Sequence, residues 1–394
     1  MTPLARRRGA APARRRLRTS LGVVALSVLL AGCTSSSADP GGAPVGPAIP
    51  LTSSTVAGTT TWATLAMGHL DDPLNTFWQL LSLSGATTWQ LTTPPGVASN
   101  GGLVVSSAPA SVLAGFVPSQ ELHFSPLART ADQASSWQPG LLPAGLARVP
   151  DGLVEGDSES LALLSPGGGT VVASTGDLTT WTSVTTASRL RRQRALAGCH
   201  LDSLTAVTLD AGGSPLVGGS CAQGGQAGLF LPSSTGWTSA GPGIPGVSGG
   251  PTEVIRLDQT VAGTAALVSA GSGPSARLFG LWSTNNLRTW TVSAGLPVGA
   301  APLRSTGVTA AGGFVVAYGT GGSGLSASTL APAASQWRSL SGPPTGSTSL
   351  TATPGGGFDA LVPMGSTLSV YALGGTRWSR VQKLQVDIPY GSSS

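Results

Sequence analysis

Charged and reactive side chains are scarce in this chain, so its few clusters stand out. Asp71-Asp72 and Glu155-Gly156-Asp157-Ser158-Glu159 are the two acid clusters. Alternating carboxylates can hold a calcium ion through their oxygens. Neither stretch has the spacing of a calcium loop, and each reads more simply as a solvated turn. His69, His123 and His200 stand alone, with no His-x-x-x-His pair and no Ser-centred nucleophile elbow. Neither a zinc hydrolase nor a serine nucleophile is therefore expected. The Gly-rich stretches Gly167-Gly168-Gly169 and Gly355-Gly356-Gly357 do not lead into the helix that a phosphate loop needs. The expectation is no metal and no cofactor.

One basic cluster is different in kind. Ser188-Arg189-Leu190-Arg191-Arg192-Gln193-Arg194 puts Arg189, Arg191, Arg192 and Arg194 within a single short segment. Guanidinium groups gathered this way suit an anionic partner: a glycan acid, a phosphate-bearing envelope polymer, a protein or lipid headgroups. A solvated loop is the alternative. Cys199 follows soon after. With Cys221 it forms the two cysteines left once Cys33 is set aside, and outside the cytoplasm such a pair is expected to form a disulfide.

The setting of Cys33 argues for that compartment. The first twenty residues hold seven arginines and no acid, and an apolar run from Leu21 to Leu30 follows. A basic region ahead of a short apolar segment is the plan of a secretory signal. The run is too short to span a membrane, which takes about 20 apolar residues. It ends in Leu30-Ala31-Gly32-Cys33, which resembles the lipobox of bacterial lipoproteins. That resemblance implies cleavage before Cys33, a fatty acyl (palmitate) anchor on its sulfur and an extracytoplasmic location on the cell membrane. Removing the signal also changes the charge. The whole chain has 21 Lys+Arg against 16 Asp+Glu, and seven of those arginines leave with the signal. The mature chain is then slightly acidic, and its composition gives no reason to expect nucleic-acid binding.

Residues 34–50 are mostly Ser, Pro, Gly and Ala, too poor in apolar groups to bury, so a flexible linker over 33–50 is expected. Beyond residue 50, Gly and Pro recur every few positions between short runs such as Leu103-Val104-Val105 and Phe314-Val315-Val316. Short strands with frequent turns imply an all-β fold. Seven tryptophans refine this: Trp89, Trp137, Trp181, Trp237, Trp290, Trp337 and Trp378, spaced 48, 44, 56, 53, 47 and 41 residues apart. Such a period marks the four-stranded blades of a β-propeller. The expectation is a seven-bladed β-propeller over residues 51–394, after a signal peptide (1–32) and linker (33–50). The repeat tryptophans should lie between neighbouring sheets, and Trp62, outside their register, should matter less. In the blade after Trp181, Ser203 to Leu209 reads as the inner strand, Asp210 to Gly213 as its turn and Pro215 to Gly219 as the second strand. That hairpin would bring Cys199 and Cys221 together beside the arginine segment.

Several of these tryptophans end a recognisable stretch. Ser283-Thr284-Asn285-Asn286-Leu287-Arg288-Thr289-Trp290, Thr130 to Trp137 with Asp132, Ser174 to Trp181 with Asp177, and Ser82 to Trp89 with Ser84 resemble the Asp-box, Ser-x-Asp-x-Gly-x-Thr-Trp, of sialidase-type propellers. The resemblance implies a structural turn between the third and fourth strands of a blade. In an active sialidase it would also imply an arginine triad, a Tyr–Glu nucleophile pair and an Asp acid. The tyrosines Tyr318, Tyr371 and Tyr390 and the glutamates Glu121, Glu155, Glu159 and Glu253 do not supply that set in any readable pattern. Three readings follow: a non-enzymatic recognition or assembly platform, a degenerate sialidase-like glycoside hydrolase, or an accessory subunit of an envelope protein complex. The first takes precedence, because carboxylates are too few and too scattered to assign as an acid–base pair.

The lipobox reading is open to direct test. Because the sulfur is the acceptor for lipid, Cys33→Ala is expected to abolish incorporation of a fatty-acid probe and to leave the chain uncleaved at this site. Equal labelling of wild type and variant would exclude the anchor.

Overall fold

The computed structural model describes residues 47–386, apart from 69, 71–75, 86–87, 96–100, 118–122, 148–149 and 320–323. The expected all-β propeller is what the strand pairings build. Among the described residues the strands form consecutive four-stranded antiparallel units. Their inner strands are Pro47–Ala57, Leu103–Ser107, Leu153–Glu155, Leu201–Leu209, Thr252–Thr260, Leu303–Val308 and Ser349–Ala352, numbered here as units 1 to 7. Each inner strand leads by a tight turn into the second strand of its unit, and the chain then moves outward. Pro47–Ala57 begins inside the segment expected to be linker. Cys33 and the signal lie outside the described residues.

Units 1 and 7 meet through side chains. The Trp89 indole N–H donates to Asp359 Oδ2 at 2.8 Å, and Gln382 exchanges two 2.8 Å hydrogen bonds with the Trp89 backbone. The inner strand of unit 1 does more than line its own sheet. It also pairs, in parallel, with the inner strand of unit 6, matching Thr52 with Ser305 and Ser54 with Gly307. Strands converge towards the axis of a ring, so only small residues fit there. A Cβ at Gly307 would collide with Ser54 Oγ. The run Thr52-Ser53-Ser54-Thr55 is buried. Thr52 Oγ1 donates to the Thr348 carbonyl at 2.8 Å and Thr55 Oγ1 meets Ser107 Oγ at 2.9 Å, while Ser54 Oγ has no hydrogen-bond partner among the described residues.

The repeat tryptophans join each unit to the one before it. The indole N–H of Trp181 reaches the Leu141 carbonyl at 3.0 Å, that of Trp290 reaches Ala240 at 2.7 Å, and that of Trp378 reaches Ser341 at 3.1 Å. In every case the acceptor lies on or just after the outer strand of the preceding unit. An indole suits this position because one end is apolar and the other must find a partner. Trp137 instead meets Trp62 edge-on, with ring centroids 6.5 Å apart.

The turns before these tryptophans are of two kinds. At 131–137 and 284–290 the chain makes wide turns held from within. Asp132 accepts from Thr130 Oγ1 and from the N–H and hydroxyl of Ser136, while Asn285 accepts from Ser283 Oγ and the Thr289 N–H. These bonds fix left-handed residues without glycine: Gln133 and Ala134 in one turn, Asn286 and Leu287 in the other. Hydrogen bonds from the Ser136 hydroxyl and N–H, then from Thr130, hold the Asp132 carboxyl down at about 2. Asp177 plays the same part, accepting from the N–H groups of Thr179 and Thr180, and its carboxyl is likewise lowered. Ser82 to Trp89 differs. Ser84 pairs with Thr88 and Leu83 with Trp89, so this stretch is a tight hairpin.

Burial corrects the expected ranking of the tryptophans. Trp62, Trp78 and Trp282, all outside the repeat, are 2%, 5% and 2% exposed. Of the repeat tryptophans, Trp89 and Trp237 are buried, and Trp137, Trp181, Trp290, Trp337 and Trp378 are only half-buried. The reason is position: Trp62 lies on the second strand of its sheet, where both faces are covered, whereas these five sit at the outer edge. Trp62→Ala is therefore expected to cost about 3–5 kcal/mol in denaturant unfolding. Trp137→Ala should cost less. Because the two rings touch, the double variant should be less destabilised than the two single losses added together; strict additivity would exclude a working contact.

Candidate functional site

The inner strands end together. The turns that follow them at 57–58, 108–109, 156–158, 210–213, 258–261 and 309–312 surround one cavity of about 560 Å³. Those turns come from units 1 to 6. The turn of unit 7 is not part of the lining, in keeping with the direct pairing of units 1 and 6 at the axis. Among the described residues the lining carries five carboxylates, Asp151, Glu155, Asp157, Asp210 and Asp258, and no lysine or arginine.

Behind two of these acids lies Arg256, 2% exposed. Its position follows from the sequence Val254-Ile255-Arg256-Leu257-Asp258. Side chains alternate along a strand, so Arg256 and Asp258 share the face that looks into the ring. Arg256 Nε and Nη2 contact the two Asp258 oxygens at 3.2 and 3.3 Å, and Nη2 lies 3.4 Å from Asp151 Oδ1. Its Nη1 donates to the carbonyls of Ser54 at 3.0 Å and Thr306 at 3.1 Å. One guanidinium thus joins units 1, 3, 5 and 6. Asp151 is held from its other side as well, accepting the Leu257 N–H. Burial pushes the Asp151 carboxyl up; Arg256 opposes this and the Asp258 charge adds to it, for a value of about 8. Burial also works against the Arg256 charge, but Asp151 and Asp258 outweigh it and hold the guanidinium protonated.

Glu155 is fixed in a second ion pair. Arg129 Nε lies 2.7 Å from Oε1, and Ser111 and Ser160 donate to its two oxygens at 2.9 and 2.8 Å. The expectation of a solvated loop at 155–159 therefore fails for Glu155, which is buried, while Asp157 is exposed. At the far end of the strand that carries Arg256, burial pushes the Glu253 carboxyl up to about 7.

The residues singled out from the sequence lie elsewhere in the ring. Arg189 and Arg191 belong to a short helix, α1 (Ala187–Arg191), whose Ala187 and Leu190 are buried and whose arginines are exposed. Thr186 caps it by accepting the Arg189 N–H at 3.0 Å. Arg191 Nε donates to the Leu201 carbonyl at 2.8 Å, and Arg192 is exposed. Arg194 opens the 3-10 turn Arg194–Cys199. Cys199 and Cys221 form a disulfide with Cα atoms 4.9 Å apart. The strands Leu201–Leu209 and Pro215–Cys221 pair as expected and set Leu201 opposite Cys221. None of these groups lines the cavity. The readable sign of the cavity site was the Arg-Leu-Asp alternation at 256–258; its partner Asp151 has no local signal.

Comparisons with known proteins place the fold and not the site. No family model matches the sequence, and neither does any curated protein. Among solved structures, the chain aligns with the glycoside hydrolase family 74 xyloglucanase of Xanthomonas campestris at TM-score 0.52 and 13% identity, covering 83% of this chain and 52% of that one. This chain therefore spans about half the length of the xyloglucanase. It aligns with a candidate 6-phosphogluconolactonase from Bacteroides uniformis at TM-score 0.53 and 13% identity, covering 84% and 97%. A Lactobacillus plantarum protein matches at TM-score 0.52 and 12% identity, covering 83% and 96%. At such identities the likeness establishes a shared fold: this chain is a β-propeller.

The ion network makes a sharp prediction. Arg256→Leu leaves buried Asp151 and half-buried Asp258 without their cation and is expected to cost about 3–5 kcal/mol near neutral pH. The Asp151 value is already raised in the wild type, and losing Arg256 raises it further. A raised carboxyl contributes stability that is present below its unfolded value and lost as pH rises through its folded value. The wild type therefore stops losing stability above about 8 while the variant goes on losing it, and the gap between them should widen there. Urea melts from about pH 6 to about pH 10 check this; a gap that stays constant above about 8 would count against the network.

Proposed function

We propose that this chain is an exported lipoprotein, anchored to the outer side of a membrane through Cys33, whose propeller serves as a recognition or assembly platform and not as an enzyme. The observation that carries the non-enzymatic reading is the state of the cavity carboxylates. Hydrolysis of a glycoside needs one carboxyl free to give a proton and a second free to act as base or nucleophile. Asp151 and Asp258 are both committed to Arg256, Glu155 to Arg129, and Asp210 to the N–H groups of Gly212 and Ser214, so exposed Asp157 is left as a single carboxyl without a free partner among the described lining residues. What remains is a cup rimmed by turns with acceptor groups in its wall, suited to a ligand that donates hydrogen bonds, such as the hydroxyls of a glycan or the amines of an envelope protein. The Cys199–Cys221 disulfide supports maturation outside the reducing cytoplasm. The internally bonded turns at Asp132, Asp177 and Asn285 support kinship of the scaffold with sialidase-type propellers and a structural part for these three side chains.

A cavity-filling substitution tests this reading. Ala211 lines the cavity from an exposed turn, so Ala211→Trp should leave the melting temperature nearly unchanged. It should weaken capture of glycan-array or envelope-protein ligands by about tenfold or more, the loss of one well-placed contact or more. Capture by the variant equal to that of wild type, or cleavage of arrayed glycosides by the wild-type protein, would overturn the proposal.

A further inference from the structure

The two ends of the ring are unlike, and the chain enters at one of them. Six inner strands finish at the cavity, so their first residues lie at the opposite end, the start face. Pro47 opens the first inner strand and pairs with Leu303, the opening residue of the sixth, so the chain enters on the start face. Helix α1 and the turn Arg194–Cys199 lead into the inner strand Leu201–Leu209, which places them on the start face too. Exposed Arg277, at the head of its strand, and half-buried Arg304, beside Leu303, lie there as well. The exposed acid near this group is Asp202. At the other end stand the cavity acids and the turn acids Asp132 and Asp177, with exposed Arg288, Arg338 and Arg377 at the outer strands, away from the cavity lining.

Chain length restricts which end can meet a membrane. Pro47 follows Cys33 by 14 residues, a reach of at most about 46–50 Å. To present the cavity end, the tether would have to run outward across four strands and then down the length of an inner strand. That route is roughly 50 Å at about 4.8 Å per strand and 3.3 Å per residue, the whole tether at full stretch. The start face needs almost none of it.

We propose that the start face, through Arg189, Arg191 and Arg192 with Arg277 and Arg304, rests on the anionic headgroups of the bilayer that holds the anchor, so that the cavity opens away from the membrane. This rests on the anchor at Cys33 for its geometry, but the face itself can be tested without lipid. Helix α1 is built for the contact. Ala187 and Leu190 fasten it to the core, Arg191 Nε donates to Leu201 and Arg189 Nη1 to Val184, and Arg189, Arg191 and Arg192 are exposed. Arginine binds phosphate through paired N–H groups, and each basic residue near an anionic surface adds to the attraction.

Every described strand lies within residues 47–386, so a chain beginning at Thr34 retains the whole ring and lacks the lipid. Its partition onto vesicles of phosphatidylcholine with about a third phosphatidylglycerol is expected to exceed that onto pure phosphatidylcholine by about tenfold at low salt, and to fall at high salt. The Arg189→Ser/Arg192→Ser variant should lose most of that difference with an unchanged melting temperature. Equal partition onto both vesicles, an unaffected double variant, or release from vesicles by soluble polyphosphate at equal phosphate concentration would overturn the inference, the last in favour of a phosphate-bearing polymer. Fatty-acid labelling of the full chain separates the two claims. Labelling with no vesicle preference removes only the face, and vesicle preference without labelling removes only the anchor.

Discussion

At the axis of the ring one guanidinium holds strands that are far apart in the chain. Arg256 accepts no hydrogen bonds and cannot lose its charge, so a buried position demands acceptors on every side. The fold supplies them from four units: carboxylates from units 3 and 5, and backbone carbonyls from units 1 and 6. A lysine would offer a point charge where this arrangement uses a planar fork. The consequence reaches the rest of the site. Two acids that line the cavity are spent on internal bonding, and that commitment favours a binding surface over a hydrolytic one.

The outer part of the ring is joined by a different device. Each repeat tryptophan covers a seam between sheets, and several fasten it through the indole N–H. Five of the seven side chains are half-buried, and each seam is a local contact repeated around the circle. The axis is irregular by comparison. The inner strand of unit 1 pairs directly with that of unit 6, and the turn of unit 7 stays out of the cavity. A repeated sequence has therefore built a ring with one distinct sector, and the cavity inherits its asymmetry.

Charge is distributed along the axis in the same uneven way. Carboxylates line the turns that end the inner strands, with exposed Arg288, Arg338 and Arg377 further out at the same end, while Arg189, Arg191, Arg192 and Arg277 are exposed where the strands begin. A cup rimmed with acceptors at one end and outward-facing guanidinium groups at the other give the two faces different chemistry.

Local features of the sequence were enough for the all-β class, the repeating unit and the hairpin that carries Cys199 and Cys221. Each depends on residues near one another in the chain: turn residues between short strands, or a tryptophan after a polar turn. The burial of Trp62 could not be read that way, because it depends on neighbours across the sheet and not on register. Nor could the cavity. Asp151 meets the Leu257 backbone from 106 residues away, and Ser54 meets Arg256 from 202 residues away. No local pattern records such pairings. In a propeller the facing groups come from separate units, and only closing the ring brings Arg256, Asp151 and Asp258 into one electrostatic environment and decides that the carboxylates there are bound rather than free.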